Sequence, residues 1–220
     1  MLPYTVIILI LAVAVTLLIR AEFAKNQKQI HVFKPVSTSL VVIIILVAFI
    51  TGTPVDSGYR AGILAGLLLC FGGDMALMFQ SQSAFRAGLV LFLLGHVAYS
   101  VVFILYSGFT HQDLLSGTVL LVLGGIIYAY LYPGLGNMKV SVLLYVVIIS
   151  FMVNRAVSGF YGDFFSGRQA VLISGGAALF YISDVILAVS RFRKEYRYNR
   201  ISLAFYYSGQ VLIALSTAVF

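Results

Sequence analysis

The 220-residue chain has no tryptophan and a single cysteine, Cys70. One thiol excludes an intramolecular disulfide and says nothing about redox compartment. Histidine is nearly as scarce: His31 and His111 fall in expected loops and His96 in an apolar segment, with no second histidine or cysteine clustered near any of them. That scatter argues against a transition-metal site, which needs several nitrogen and sulfur donors close together. Charge is scarce as well, at 10% of residues, and acids number 7 against 14 bases. The four prolines, at 3, 35, 54 and 133, all read as segment ends.

What is present is apolar. Hydrophobic residues make up 61% of the chain and mean hydropathy is +1.05, which excludes a soluble globular domain. A hydrocarbon core ~30 Å thick needs about 20 apolar residues per helix, and the chain reads as a series of such segments. They fall at 3–20, 35–51, 60–79, 85–106, 114–131, 139–159, 169–190 and 201–219, separated by breaks too short to hold a soluble domain. Runs such as "LVVIIILVAFI" at 40–50 lack the alternation of a barrel strand, so the spans are expected to be helical. The expected fold is all-α, a polytopic bundle of eight transmembrane helices forming a single domain over 1–220. The first segment lacks the basic flank and small-residue cleavage site of a signal peptide and is expected to be retained.

The basic residues set the expected orientation. Eleven of the 14 fall in alternate breaks: Arg20, Lys25, Lys28 and Lys34; Arg86; Lys139; and Arg191, Arg193, Lys194, Arg197 and Arg200. Only Arg60, Arg155 and Arg168 remain for the other side. The positive-inside rule makes the richer side cytoplasmic and puts both termini on the non-cytoplasmic side. The net charge of +7 and pI of 9.6 then describe a basic rim facing anionic headgroups, with no need of a nucleic-acid partner. The oligomeric state is not legible.

Against this background two acids stand out, Asp74 in "FGGDMALMF" and Asp184 in "FYISDVILAV". Each precedes the basic end of its segment by six or seven residues, roughly 10 Å inside the inner rim. The likeness extends around them. "GDMALM" (73–78) parallels "SDVILA" (183–188), and "LLGHVAY" (93–99) parallels "YSGQVLI" (207–213), which sets His96 opposite Gln210. The expectation is two parallel four-helix repeats, 1–110 and 111–220, whose equivalent residues approach a common axis from the same side.

An ionised carboxylate at membrane depth costs several kcal/mol unless partnered, so such residues face the bundle interior and are usually functional. Two of them close together repel, so that one keeps its proton while the other stays ionised. That division of labour suits cleavage of an acid-labile ether, one group donating a proton and the other steering water. Purely structural roles compete with this. Asp74 can pair with Lys34 at the opening of the second segment, or bond a tyrosine; His96 and Gln210 can be helix-packing hydrogen bonders. Asn154 and Arg155, near the outer end of the sixth segment, read as structural, with Arg155 snorkelling. Tyr145, Tyr181 and Tyr206 lie deep enough to line a cavity.

Several stretches together resemble one family: "HVFKPVSTSL" (31–40), "GGDMALM" (72–78), "YLYP" (130–133), "GAALFYISDVILA" (176–188) and "YYSGQVLI" (206–213). They are similar, in this order and over nearly the whole chain, to the YhhN-like lysoplasmalogenases, a family of eight-helix membrane hydrolases. The resemblance implies cleavage of the vinyl-ether bond of a lysophospholipid substrate, with release of a fatty aldehyde and a glycerophospho-base. It places the catalytic pair on Asp74 and Asp184 and the family's Lys-Pro on Lys34 and Pro35. Lys34, His96, Tyr145, Tyr181, Tyr206 and Gln210 are then expected to bind substrate. The chemistry calls for no metal and no organic cofactor, and the partners expected are the lysophospholipid and the surrounding lipids of a bacterial cytoplasmic membrane. The alternatives are a proton-coupled transporter that uses the paired acids as a relay, and a lipid-binding protein without catalysis.

Overall fold

A computed structural model describes residues 2–52, 54–194 and 199–218. Arg197, counted above with the seventh break, and the end of the eighth segment lie outside the described residues. The described residues form eight α-helices: α1 (Leu2–Phe23), α2 (Gln27–Ile50), α3 (Ser57–Leu77), α4 (Gln82–Ser107), α5 (Gln112–Leu131), α6 (Lys139–Ser158), α7 (Gly167–Phe192) and α8 (Ser202–Leu215). No strand occurs among the described residues. Seven of the helices are long and apolar enough to cross a membrane, as in a multi-pass integral membrane protein. The exception is α8, with 14 residues. At 1.5 Å per residue it measures about 21 Å, short of the hydrocarbon thickness.

Several helices begin before their apolar stretch does, because polar side chains cap them. Asn26 accepts from the Gln29 N–H and starts α2 at Gln27, eight residues ahead of the apolar run. His31 therefore lies within a helix and not in a loop, and Lys34 and Pro35 stand in the helix interior, not at a segment end. Pro35 leaves the His31 carbonyl without its usual i+4 donor. Asp56 caps α3 and Ser81 caps α4, and Ser166 and Gln169 form a reciprocal capping box at α7.

Packing is organised as a ring in which α2, α3, α4, α6, α7 and α8 each touch the next and α8 closes onto α2. α1 lies outside against α2 and α8, and α5 lies outside against α6 and α7. The outer position of α5 explains its many exposed leucines, among them Leu114, Leu115 and Leu121, which suit contact with lipid. Glycines set the closest helix crossings. A Cβ at Gly95 on α4 would lie 3.2 Å from the Gly66 carbonyl on α3, and one at Gly209 on α8 would lie 2.7 Å from the Gly176 carbonyl on α7. Gly66 and Gly176 stand in the same register to Asp74 and Asp184, eight residues before each acid. Both carboxylates therefore follow a tight crossing by about two turns.

Arg155 does not snorkel. It is 1% exposed, its Nη2 lies 2.9 Å from Asp113 Oδ2, and it donates to the Asn154 side chain and the Gly108 carbonyl. Ser158 completes the cluster by donating to Asp113 Oδ1. This buried network ties α4, α5 and α6 at the end of the bundle opposite the basic breaks.

Candidate functional site

Asp74 sits in the last turn of α3, where the unpaired carbonyls of a helix end disfavour negative charge. Its surroundings compensate. Thr38 Oγ1 on α2 and the Tyr206 hydroxyl on α8 each donate to Asp74 Oδ2 at 2.8 Å, and Lys34 Nζ lies 3.7 Å from Oδ1. Thr38 and Lys34 are one helical turn apart and so share the face of α2 that looks at α3. Tyr207 extends the network, with its hydroxyl 3.1 Å from Thr38 Oγ1 and donating to the Lys34 carbonyl at 3.4 Å.

Asp184 is held differently. α7 continues for two turns beyond it, and Tyr145 on α6 donates to its Oδ2 at 2.6 Å. His96 Nε2 on α4 lies 3.8 Å from the same oxygen, beyond hydrogen-bond reach. Both ring nitrogens of His96 are buried without a hydrogen-bond partner, and the ring packs edge-on against Tyr145 and Phe180. The two acids differ in access: the Asp184 side chain is 13% exposed and that of Asp74 3%.

Both carboxylates line one cavity of about 660 Å³ that opens at the basic end of the bundle. Its walls carry Lys25, Lys34, Arg191 and Arg200 together with Glu22, Ser183, Ser190, Asn199, Ser202 and Tyr206. A second, smaller pocket of about 60 Å³ lies between α4, α5, α6 and α7 and is walled almost wholly by apolar side chains, including Leu89, Ile127, Leu131, Val146 and Ile149. Asp184, Leu77, Phe85, Phe92 and Leu187 belong to both. The acid of α7 therefore stands at the seam between a polar, cationic chamber and an apolar slot.

The other expected binding residues divide between these spaces. Lys34 and Tyr206 line the polar cavity, and Tyr145 and Tyr181 line the apolar pocket. His96 and Gln210 line neither; Gln210 Oε1 accepts from the Tyr99 hydroxyl at 2.8 Å, and its Nε2 has no hydrogen-bond partner. Sequence reading missed Thr38 and Tyr207. Thr38 had a signal, its spacing of four from Lys34; Tyr207 had none, since its contacts reach 169 residues back along the chain.

Comparison with known proteins gives two results. The profile of the YhhN family matches residues 29–217. Among curated proteins, the lysoplasmalogenase TMEM86A of Bos taurus and that of Homo sapiens are each 36% identical over 157 residues, which is 70% of this chain and 64% of the relative. The chain thus aligns with a little under two thirds of the length of these relatives. No solved structure matches.

Proposed function

Since the chain belongs to the YhhN family, we propose that it is a membrane hydrolase that cleaves the vinyl-ether bond of lysoplasmalogens by aspartate acid/base catalysis. The observation that carries this reading is the position of Asp184, reachable from a cavity suited to a phosphorylated headgroup and from a slot suited to an alkyl chain. The names of the mammalian relatives support the same substrate. A vinyl ether placed across the seam has its polar glycerol side among cations and its hydrocarbon side between α6 and α7.

The steps follow from the donors around each acid. Asp184, with one hydroxyl donor and the greater access, gives a proton to the β-carbon of the vinyl ether. The electron pair of the double bond forms the new C–H bond, and an oxocarbenium ion results. Asp74, surrounded by two hydroxyl donors and the Lys34 ammonium, is the carboxylate that stabilises this cation and orients water. Water adds to the carbon attached to oxygen and loses a proton to a carboxylate, giving a hemiacetal. The hemiacetal breaks its bond to the glycerol oxygen, which takes up a proton, and the aldehyde leaves along the apolar slot. One water is consumed and no redox change occurs. Tyr145 and Tyr206 position the two acids, and His96 packs against Tyr145.

We also infer that α8, with the turns flanking it, is the eighth span, so that both termini lie outside the cytoplasm and the site opens toward it, in a bacterial cytoplasmic membrane. The 11-to-3 distribution of basic residues supports that orientation. The repeat reading, 1–110 against 111–220, gains support from the matched glycine crossings and from reciprocal partners: Asp74 is held by α2 and α8, while Asp184 is approached by α6 and α4.

A proton-coupled transporter is the second reading, favoured by Pro35 beside Lys34, which frees one backbone carbonyl within the otherwise continuous α2. The deciding experiment incubates purified protein in detergent with a vinyl-ether lysolipid and with its saturated alkyl-ether analogue. Aldehyde from the first and none from the second is expected. Absence of aldehyde from both, with pH-gradient-driven lipid movement in proteoliposomes, would replace the hydrolase with the transporter.

A further inference from the structure

The turn that joins α1 to α2 is built in an unusual way, and it forms part of the cavity mouth. The Asn26 N–H bonds the Ala21 carbonyl at 2.9 Å and the Lys25 N–H bonds the Glu22 carbonyl at 3.1 Å, the paired closure that ends many helices. The residue that closes such a turn adopts a left-handed backbone and is usually glycine. Here it is Lys25, at φ +52°, the one non-glycine residue with positive φ among the described residues. A side chain kept at a strained position calls for a reason outside local folding. Lys25 lines the polar cavity, as does Glu22, which the same turn holds by its carbonyl.

Across the mouth stands Arg200, whose Nε lies 3.4 Å from Glu22 Oε2, with Glu22 14% and Arg200 38% exposed at the side chain. Arg191, which also lines the polar cavity, stacks over the ring of Phe85 at 4.6 Å, a side chain shared by the cavity and the apolar slot. The mouth therefore holds three cations and one acid, with the acid already engaged by one of the cations. A dianionic or singly anionic head would satisfy the cations and leave Glu22 facing negative charge. A zwitterion satisfies both signs.

We propose that Glu22, Lys25 and Arg200 form a headgroup-reading subsite for a phosphate–ammonium zwitterion, in which the ligand replaces the Glu22–Arg200 pair: phosphate takes Arg200 and Lys25, and the ammonium takes Glu22. Discrimination arises because an anionic head without an ammonium leaves the Glu22 carboxylate unpaired beside it. Glu22 and Lys25 precede the stretch matched by the family profile, residues 29–217, while Arg200 lies within it. The proposal rests on the reading that the cavity accepts a lysolipid headgroup, and it does not depend on cleavage.

The test measures Kd in non-ionic detergent for two ester-linked monoacyl lipids, one with a phosphoethanolamine head and one with a phosphoglycerol head. Neither contains a vinyl ether, so binding is read apart from turnover. The wild-type protein is expected to favour the phosphoethanolamine lipid, and Glu22→Gln is expected to abolish that preference by weakening it alone, by about tenfold, the effect of losing one charged hydrogen bond. Lys25→Gly separates function from folding: relief of the left-handed strain raises the melting temperature, while both lipids bind more weakly. Equal affinity of wild type for the two lipids, an unchanged preference in Glu22→Gln, or full binding by Lys25→Gly would overturn the proposal. Should the lipids be discriminated while no aldehyde is released from a vinyl-ether substrate, the subsite stands and the hydrolase reading falls.

Discussion

The Tyr206 hydroxyl on α8 donates to Asp74 Oδ2 on α3 at 2.8 Å, across 132 residues of sequence. Thr38 donates to the same oxygen from α2 and Lys34, also on α2, approaches the other, so one carboxylate ties its own helix to two others. Asp184, by contrast, has a single hydroxyl donor, Tyr145. The two acids are therefore expected to respond differently to the same substitution.

Asp184→Asn should leave the melting temperature near that of wild type and lower kcat by ~10² or more, because the proton donor is lost while size and the Tyr145 contact remain. Asp74→Asn should lose activity and also stability, by about 3 kcal/mol, since Lys34 is then buried without its counter-charge. Adding Lys34→Met to Asp74→Asn should restore melting without restoring aldehyde release. Recovery of turnover in that double variant would remove Asp74 from the chemistry.

The glycine crossings predict an order of stability. At Gly209 an added Cβ would meet backbone, the Gly176 carbonyl at 2.7 Å and the Phe180 nitrogen at 3.0 Å; at Gly95 its nearest neighbour is the Cys70 sulfur, a side chain. At Gly134 it would collide with the Phe192 carbonyl. Gly209→Ala and Gly134→Ala should each cost about 3 kcal/mol and Gly95→Ala less, as overpacking against backbone has no easy relief. Thermal melts of the three variants in one detergent give the ranking, and an alanine at 95 that melts lowest would contradict it.

Asp113 and Arg155 are paired at 2.9 Å far from the cavity. Asp113→Ala leaves a buried guanidinium unpaired and should destabilise by about 3 kcal/mol. Turnover per folded molecule should not change. A fall in kcat beyond the loss of folded protein would show that this network reaches the site.

Asp56, the cap of α3, lies outside the spans and has its pKa held below the ordinary 3.8, chiefly by the Tyr106 hydroxyl bonded at 2.5 Å and then by the Tyr59 N–H. A depressed folded-state pKa gives stability that is complete above the unfolded value and is lost as pH falls through the folded one. Melting temperature should therefore drop below about pH 4, and Asp56→Asn should flatten that part of the curve. An unaltered acid limb in the variant would assign it to another carboxylate.

The run of apolar residues along the sequence determined that this chain lives in a membrane as a helical bundle, because unalternating runs of about 20 residues satisfy their backbone in lipid as helices and not as barrel strands. It also singled out Asp74 and Asp184, since a charge in such a run is conspicuous whatever surrounds it. Hydropathy could not show where α2 begins, because it reports the hydrocarbon boundary and not the helix, and the cap at Asn26 carries Lys34 and Pro35 into the helix interior. Nor could it separate a snorkelling arginine from one paired to Asp113, 42 residues earlier in the sequence, since only the packing of α5 on α6 puts the acid within reach. The same limit applies to the site. Which hydroxyls reach which acid, and that Asp184 borders both a polar cavity and an apolar slot, depend on the ring that α8 closes against α2. Hydrogen bonds are short-ranged, and only tertiary packing brings their partners from distant helices to one point.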